Sequence, residues 1–494
     1  MGRLVSDEVR KEVLAKITPS KKELENQKEV ISSLKEVLIE KAESIEFAFS
    51  FIEPQGSTGL KQTQLRNAAD IDLFVGLNPS EYSEILELPQ QKRHSGLDNL
   101  MTSLVNDLLM PAVTELEVSN VRKTYSQHPY VSLEMNGLEV DILGCFDIDS
   151  KYLSEKGPIT AVDRTVHHTR YVADNLTEEK RENARILKSF VRGCHAYGDR
   201  CAVGRMGLTG VSLELISIIS VDLNDAFYML EHLDENPVDP ENRTLAELRK
   251  TKSFRDNHIF LIDPTDHRRN IASSFTPRSY RWVKYRILEM RRISKQENSK
   301  SITNILLEKP IPTTTLPNWL KKYTAVLEFK SDGSSHYTIL RDKLYRLARK
   351  SQAQLLNERT GEPRFGLSLV EVYFEKDKYS VGVIVEKHKI GEEYQRRGPP
   401  VELHDASEEF RKSHPDSKLK DGFYWVIEKR DWVSASDLFE DILLNNPIEG
   451  LTPTKLSDVS KKVLNVLWRF VLPIEPEFNQ RITTVKDKNQ VRTG

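Results

Sequence analysis

The spacing of apolar and polar positions divides the chain into stretches of different period. Residues 22–43 repeat apolar side chains at helical intervals and predict one long amphipathic helix. Ile45–Ile52 (IEFAFSFI) follows as an apolar and aromatic strand, ending at the turn Pro54-Gln55-Gly56-Ser57. Ile71–Val75 (IDLFV) predicts a short buried strand behind a polar loop, and residues 97–110 a helix. Residues 130–134 and 138–146 predict two strands joined at Asn136-Gly137, a strong hairpin signal. Residues 1–150 therefore predict a small mixed sheet with helices packed on it.

From 155 to 275 the helical period dominates, notably over 178–197 and 211–232, and 278–295 continues as a markedly basic helix. Gln296–Ser301 and Pro310-Ile311-Pro312 break the pattern and mark a boundary. Beyond it, Ala325–Phe329 is a predicted strand, Ile339–Asn357 a helix, and Leu367–Phe374 and Tyr379–Glu386 paired strands. This is the β-α-β-β order of ferredoxin-like or RRM-like modules. Helices over 402–413 and 435–444 flank a strand at Gly422–Glu428. The expected fold class is a multidomain α/β chain: a mixed-sheet domain over 1–150, a mainly helical domain over 151–300, and an α+β tail over 301–494 with a C-terminal helix.

Composition narrows the class. A chain of 494 residues, 38% hydrophobic and 30% charged, is long enough for roughly three globular domains. No window approaches the ~18 apolar residues of a membrane span, and Met1–Lys11 lacks an apolar signal core, so no membrane association is expected. Cys145, Cys194 and Cys201 are too few for a disulfide framework and have no metal-ligand spacing, which places the chain most simply in the cytoplasm. Net charge is −2, unlike the basic balance usual in nucleic-acid binders, but 72 Lys and Arg leave room for a local basic groove.

The candidate chemistry lies in Gly56-Ser57 and Asp70-Ile71-Asp72. Carboxylates at i and i+2 of a strand share one face and suit a hard divalent cation such as Mg²⁺. Asp141 sits within an apolar strand (EVDILGCF), where an unpartnered charge is costly. Three carboxylates on one small sheet would suit two-metal phosphoryl transfer, and the Gly-Ser turn would offer amide and hydroxyl donors to phosphate. An Asp-x-Asp alone is common in strands. The ordered combination of Gly-Ser, Asp-x-Asp and a later strand Asp is more specific.

These residues resemble the signature of the polymerase-beta-type nucleotidyltransferase superfamily. Further segments are similar to class I, archaeal-type CCA-adding enzymes, in the same order: Ala161–Thr165 with His167-His168, Ile186–Phe190, Ala196-Tyr197-Gly198, Gly207–Gly210, Leu213–Ile216, Asp263–Asp266, Arg269–Ala272 and Arg396–Pro400. The likeness spans about 30–445. It implies a nucleotidyltransferase head over 1–150, a central domain that binds nucleotide and tRNA, and a tail that grips the tRNA elbow. It implies addition of C, C and A to the tRNA 3′ end from CTP and ATP. Asp70, Asp72 and Asp141 would hold metal and catalyse, and Gly56, Ser57, Lys61, His168, Lys188, Tyr197 and Arg269 would bind nucleotide. The family usually carries a basic residue three positions after the serine. Here that position is Leu60, so the role passes to Lys61. Counting from Arg164-Thr165 selects His168 rather than His167.

Arg278–Lys295 interleaves seven basic residues with Tyr280, Trp282 and Tyr285, which suits either an RNA-facing helix or one whose aromatics pack into the core. The alternatives are another nucleotidyltransferase of the superfamily, of poly(A) polymerase or oligoadenylate synthetase type, or a non-catalytic tRNA-binding protein. Oligomeric state is not legible, which leaves a homodimer open.

Overall fold

The computed structural model describes residues 3–125, 128–296 and 298–482. Two compact units result: Met1–Gly198 with Gly207–Glu308, and Asp199–Met206 with Lys309 onward.

The first unit is built on a five-stranded sheet ordered β1-β2-β5-β4-β3, with β1 Phe51–Gln55, β2 Asp70–Leu77, β3 Ser119–Tyr125, β4 Pro129–Met135 and β5 Leu138–Phe146. Only β2 and β5 run parallel. Their crossover includes the helical stretch from Gln90 to Val113. Strand alternation sorts the two faces. Ile71, Leu73 and Val75 of β2 and Val140 and Ile142 of β5 join Val30, Leu34 and Leu38 of the Lys21–Ser44 helix and Leu104 and Leu108 of the crossover in one core. Gly144 lets that crossover sit close: a Cβ there would fall 2.4 Å from Leu104. The opposite face carries Phe74, Leu143 and Cys145, covered by Val166 of the Asp163–Asn175 helix.

Two sequence expectations shift. Ile45–Ile52 does not start as a strand. Glu46 takes φ +55°, and the Phe47 amide folds back onto the Ala42 carbonyl at 2.8 Å, so pairing begins only at Phe51. Residues 211–232 form two helices, Gly210–Ile219 and Leu223–Glu231, because Asp222 caps the second. The Asn136-Gly137 turn forms with both residues at positive φ (51° and 75°), as a type I′ hairpin requires. β3 was not anticipated.

Helices Glu178–Gly193 and Pro277–Ser294 complete the unit with the short hairpin of β6 Ile262–Asp263 and β7 Asp266–Asn270. In the basic Pro277–Ser294 helix Tyr280 and Trp282 face inward, whereas Tyr285 is exposed. Trp282 Nε1 donates to the Cys194 carbonyl at 2.8 Å, and the Tyr280 hydroxyl donates to the Glu231 carbonyl at 3.0 Å. Lys284, Arg286 and Arg291 pair with Asp234, Glu289 and Glu231.

The second unit has a four-stranded antiparallel sheet ordered β14-β8-β10-β9, with β8 Thr324–Ser331, β9 Ser368–Glu375, β10 Lys378–Val385 and β14 Leu451–Thr454. With helices Tyr337–Leu356 after β8 and Ala435–Leu444 before β14, this is the ferredoxin-like β-α-β-β-α-β order. Between β10 and the second helix is inserted a three-stranded sheet of β11 Glu393–Pro400, β12 Lys418–Lys420 and β13 Phe423–Lys429. The Asp458–Val466 helix packs on the four-stranded sheet. Gly382 admits it, with Val463 and Leu467 each 3.1 Å from where its Cβ would stand. Among the described residues, no helix is long and apolar enough to cross a membrane.

Candidate active site

The sheet's register assembles the carboxylates. Asp72 of β2 is the Cα partner of Asp141 on β5, and Asp70 lies two residues before Asp72 on the same face, opposite Glu139. That face is the one bearing Phe74 and Cys145, on which Val166 of the Asp163–Asn175 helix packs. Asp70 is exposed, and Asp72 and Asp141 are half-buried. Burial, then the charges of Asp141 and Asp70, push the Asp72 carboxyl up to about 6 against the opposing pull of Lys61. Burial raises Asp141 as well, opposed by a hydrogen bond from Ser132 and by the charge of Arg122. Among the described residues, no group of three or more His, Cys, Asp or Glu side chains is gathered closely enough to enclose a metal ion. The three aspartates form an open row rather than a cage.

Gly56 and Ser57 follow β1 directly, and Gln55 pairs in register with Asp72. Gly56 has φ +68°, and a Cβ would lie 2.6 Å from Asp72 Oδ2, so only glycine lets the turn approach that carboxylate. Ser57 is half-buried and its carbonyl accepts the Thr63 amide at 2.9 Å. Leu60, in the family's basic position, is 57% exposed, whereas Lys61 turns inward and is buried.

Lys61 meets Lys188 through a residue that sequence analysis gave no role. Glu214 is buried on the Gly210–Ile219 helix and ion-pairs with Lys61 at 3.1 Å and Lys188 at 2.7 Å. It also accepts the Thr63 hydroxyl. Two ammonium groups thus face one carboxylate. Burial pulls Glu214 upward, but the two lysines and the hydrogen bonds hold it at about 2. Tyr197 borders the cluster: a Cβ on Gly210 would fall 2.7 Å from the Tyr197 hydroxyl and 3.5 Å from Lys188 Nζ. Burial, then Glu214, push the Tyr197 hydroxyl above its ordinary pKa, and Asp70 adds to the effect.

His168 and Arg269 meet elsewhere in the unit, on Asp263. His168 Nε2 lies 2.6 Å from Asp263 Oδ2, and Arg269 Nη1 reaches the same oxygen at 3.3 Å. Burial works against ionisation of Asp263, but the histidine and the Thr265 donors hold it well below the usual carboxylate range. The neighbouring His167 lines a different cavity of about 1000 Å³ with Arg170 and Arg268. Asp163, within the quoted Ala161–Thr165 segment, is a structural anchor, accepting the amides of Phe146, Ile159 and Thr160.

The family described as tRNA nucleotidyltransferase, second domain, matches residues 182–299, the stretch that holds Lys188, Tyr197, Glu214, Asp263 and Arg269. A CCA-adding enzyme of Pyrococcus abyssi is 31% identical over 292 residues, covering 56% of each chain. One of Thermococcus gammatolerans is 29% identical over 302 residues, covering 59% of each. One of Saccharolobus islandicus is 26% identical over 395 residues, covering 79% of this chain and 81% of that one. The chain is similar to these CCA-adding enzymes. Its matches to the Thermococcus and Pyrococcus proteins span somewhat under three fifths of their length.

Glu214 and Asp263 both lay inside segments quoted for the resemblance, but neither declares its partners in sequence. Lys61 is 153 residues from Glu214, and His168 is 95 from Asp263.

Proposed function

We propose that this chain adds C, C and A to the 3′ end of tRNA from CTP and ATP, without a nucleic-acid template. The observation that carries this is the carboxylate row, with Asp72 beside Asp141 and Asp70 next to it, bordered on the β1 side by the Gly56-Ser57 turn. Kinship with the CCA-adding enzymes supplies the acceptor and the nucleotides.

In this scheme the 3′-hydroxyl oxygen of tRNA forms a bond to the α-phosphorus. The bond from that phosphorus to the bridging oxygen breaks, and pyrophosphate leaves with the electron pair. Asp141 takes the hydroxyl proton. The Gly56 and Ser57 amides and the Ser57 hydroxyl contact the triphosphate. Lys61 and Lys188 keep one positive charge beyond what Glu214 neutralises, directed to the phosphates. Tyr197 stacks on the nucleoside, and His168 and Arg269, held by Asp263, recognise base and RNA end.

In donor chemistry, though not as a closed cage, these residues suit divalent metal. Their donors are all hard oxygens, their charges are crowded on one face, and the buried Gln55 Oε1 beside Asp72 has no hydrogen-bond partner among the described residues. Asp70, Asp72 and Asp141 would hold Mg²⁺ as a pair of ions, which would neutralise charge developing at the α-phosphate and leaving group.

Incubation with tRNA lacking its 3′ CCA and labelled CTP, ATP or both tests the proposal. Growth by three nucleotides that stops after A is expected. Unlimited A addition would identify a poly(A) polymerase, and no addition a binding protein. Asp72→Ala should abolish incorporation while tRNA still binds.

A further inference from the structure

The carboxylate row continues across the sheet. Asp141 on β5 is the Cα partner of Ser132 on β4, and Ser132 is the partner of Arg122 on β3. Register partners share a face, so Gln55, Asp72, Asp141, Ser132 and Arg122 form one line across all five strands. Ser132 is buried and hydrogen-bonds Asp141. Arg122 ends the line on the edge strand, exposed to solvent, and no hydrogen bond or ion pair holds it among the described residues. Lys123 points to the opposite side, where its ammonium donates to Asn106 at 3.2 Å.

The polarity of this line has a chemical consequence. In-line displacement puts the attacking oxygen and the departing pyrophosphate on opposite sides of the α-phosphorus. The phosphate-binding turn Gly56-Ser57 lies at the β1 end, so the leaving group belongs there. The acceptor strand must then arrive from the β4–β3 end, where the first free cation beyond Asp141 is Arg122. We propose that Arg122 contacts a backbone phosphate of the acceptor tRNA strand next to its 3′-terminal nucleotide. This rests on the activity proposed above. It adds an acceptor-binding residue to the opposite flank from the nucleotide-binding lysines. A guanidinium fork suits a phosphate there, and its charge offsets the repulsion that three carboxylates exert on an incoming polyanion.

Basic residues on edge strands can instead simply deter strand pairing, and the test separates the two roles. Steady-state CCA addition by the full chain is measured with Arg122→Ala, Arg122→Lys and Lys123→Ala, with thermal melts to confirm folding. For Arg122→Ala the KM for tRNA should rise roughly tenfold while the KM for CTP stays put. The slope of log affinity for tRNA against log salt should become shallower by about 1. Arg122→Lys should restore that slope and part of the affinity, and Lys123→Ala should match wild type. An unchanged tRNA KM in Arg122→Ala, an equal rise in the CTP KM, or an equal effect of Lys123→Ala overturns the assignment. Wild-type protein that adds nothing to tRNA defeats the activity itself. Active wild type with an indistinguishable Arg122→Ala defeats only the role of Arg122.

Discussion

Glu214→Gln keeps the shape of the side chain and removes its charge, leaving the ammonium groups of Lys61 and Lys188 buried with no carboxylate between them. Both lysines are at most 5% exposed, and Glu214 is 1% exposed, so water screens little of the loss. The Glu214 carboxyl lies at about 2 instead of its ordinary 4.5. That interval corresponds to about 3 kcal/mol of preference for the charged form. Breaking one side of a buried ion pair typically costs about 3–5 kcal/mol, so two independent routes agree. For a unit of this size the melting temperature should fall by roughly 5–8 °C at pH 7. The pH dependence follows from the direction of the shift. A depressed carboxyl pKa contributes stability that is fully present above 4.5 and is lost as pH falls toward 2. The gap between wild type and variant should therefore shrink from pH 4.5 downward. Differential scanning calorimetry of the full chain at neutral pH and at pH values stepped down from 4.5 reads both effects. A variant melting within about 1 °C of wild type at pH 7, or a gap that persists undiminished into acid, would show that Glu214 is not the clamp described.

Two other substitutions test different parts of the same unit. Gly56→Ala puts a methyl 2.6 Å from Asp72 Oδ2 at a φ of +68°, so nucleotide incorporation should drop by at least roughly tenfold with tRNA affinity unchanged. Full activity in that variant would mean the turn does not have to lie against the carboxylate. Asp163→Ala removes the acceptor for the Phe146, Ile159 and Thr160 amides, at 2.8, 2.9 and 2.6 Å, within a fully buried site. It should destabilise by about 3–5 kcal/mol, and wild-type resistance to urea would contradict that anchoring role.

Strand periodicity made the faces legible in advance. Asp70 and Asp72 are two apart in a strand, so their shared face followed from spacing alone, and Asn136-Gly137 predicted a turn whose positive φ values only such residues adopt readily. The Lys21–Ser44 helix announced itself through its apolar stripe, and the structure adds a Ser20–Glu23 capping box. β3 (SNVRKTY) stayed hidden because an edge strand packs little on either face and reads as polar loop. With β3 unseen, Arg122 could not be placed beside Asp141. Ile45–Ile52 misled because Phe47 and Phe49 pack against the core without pairing, so their apolar character came from burial and not from a ladder. The β-α-β-β order of the second unit was legible locally. A C-terminal helix was expected, but its seat on that sheet was not legible, since a glycine at 382 says nothing of what fills the space it leaves.

Net charge is the weakest guide here, and the distribution of charge explains why. A chain of −2 is proposed to hold a nucleoside triphosphate and an RNA against three carboxylates of its own. The basic helix Pro277–Ser294, the strongest run of cations in the sequence, does not supply the counter-charge by composition alone, since Lys284, Arg286 and Arg291 are already matched by Asp234, Glu289 and Glu231. What the site needs is cation on both flanks of the row: on one side for the triphosphate, on the other for the strand that attacks it. Lys61 and Lys188 outnumber Glu214 at the β1 flank, and Arg122 stands unpaired among the described residues at the β3 flank. Under the proposed function, these three side chains would do what an overall basic balance would otherwise have to do. A site that must both bind polyanions and concentrate acid for metal gains from keeping its cations local, because a cation beyond about 10 Å is largely screened at ordinary salt.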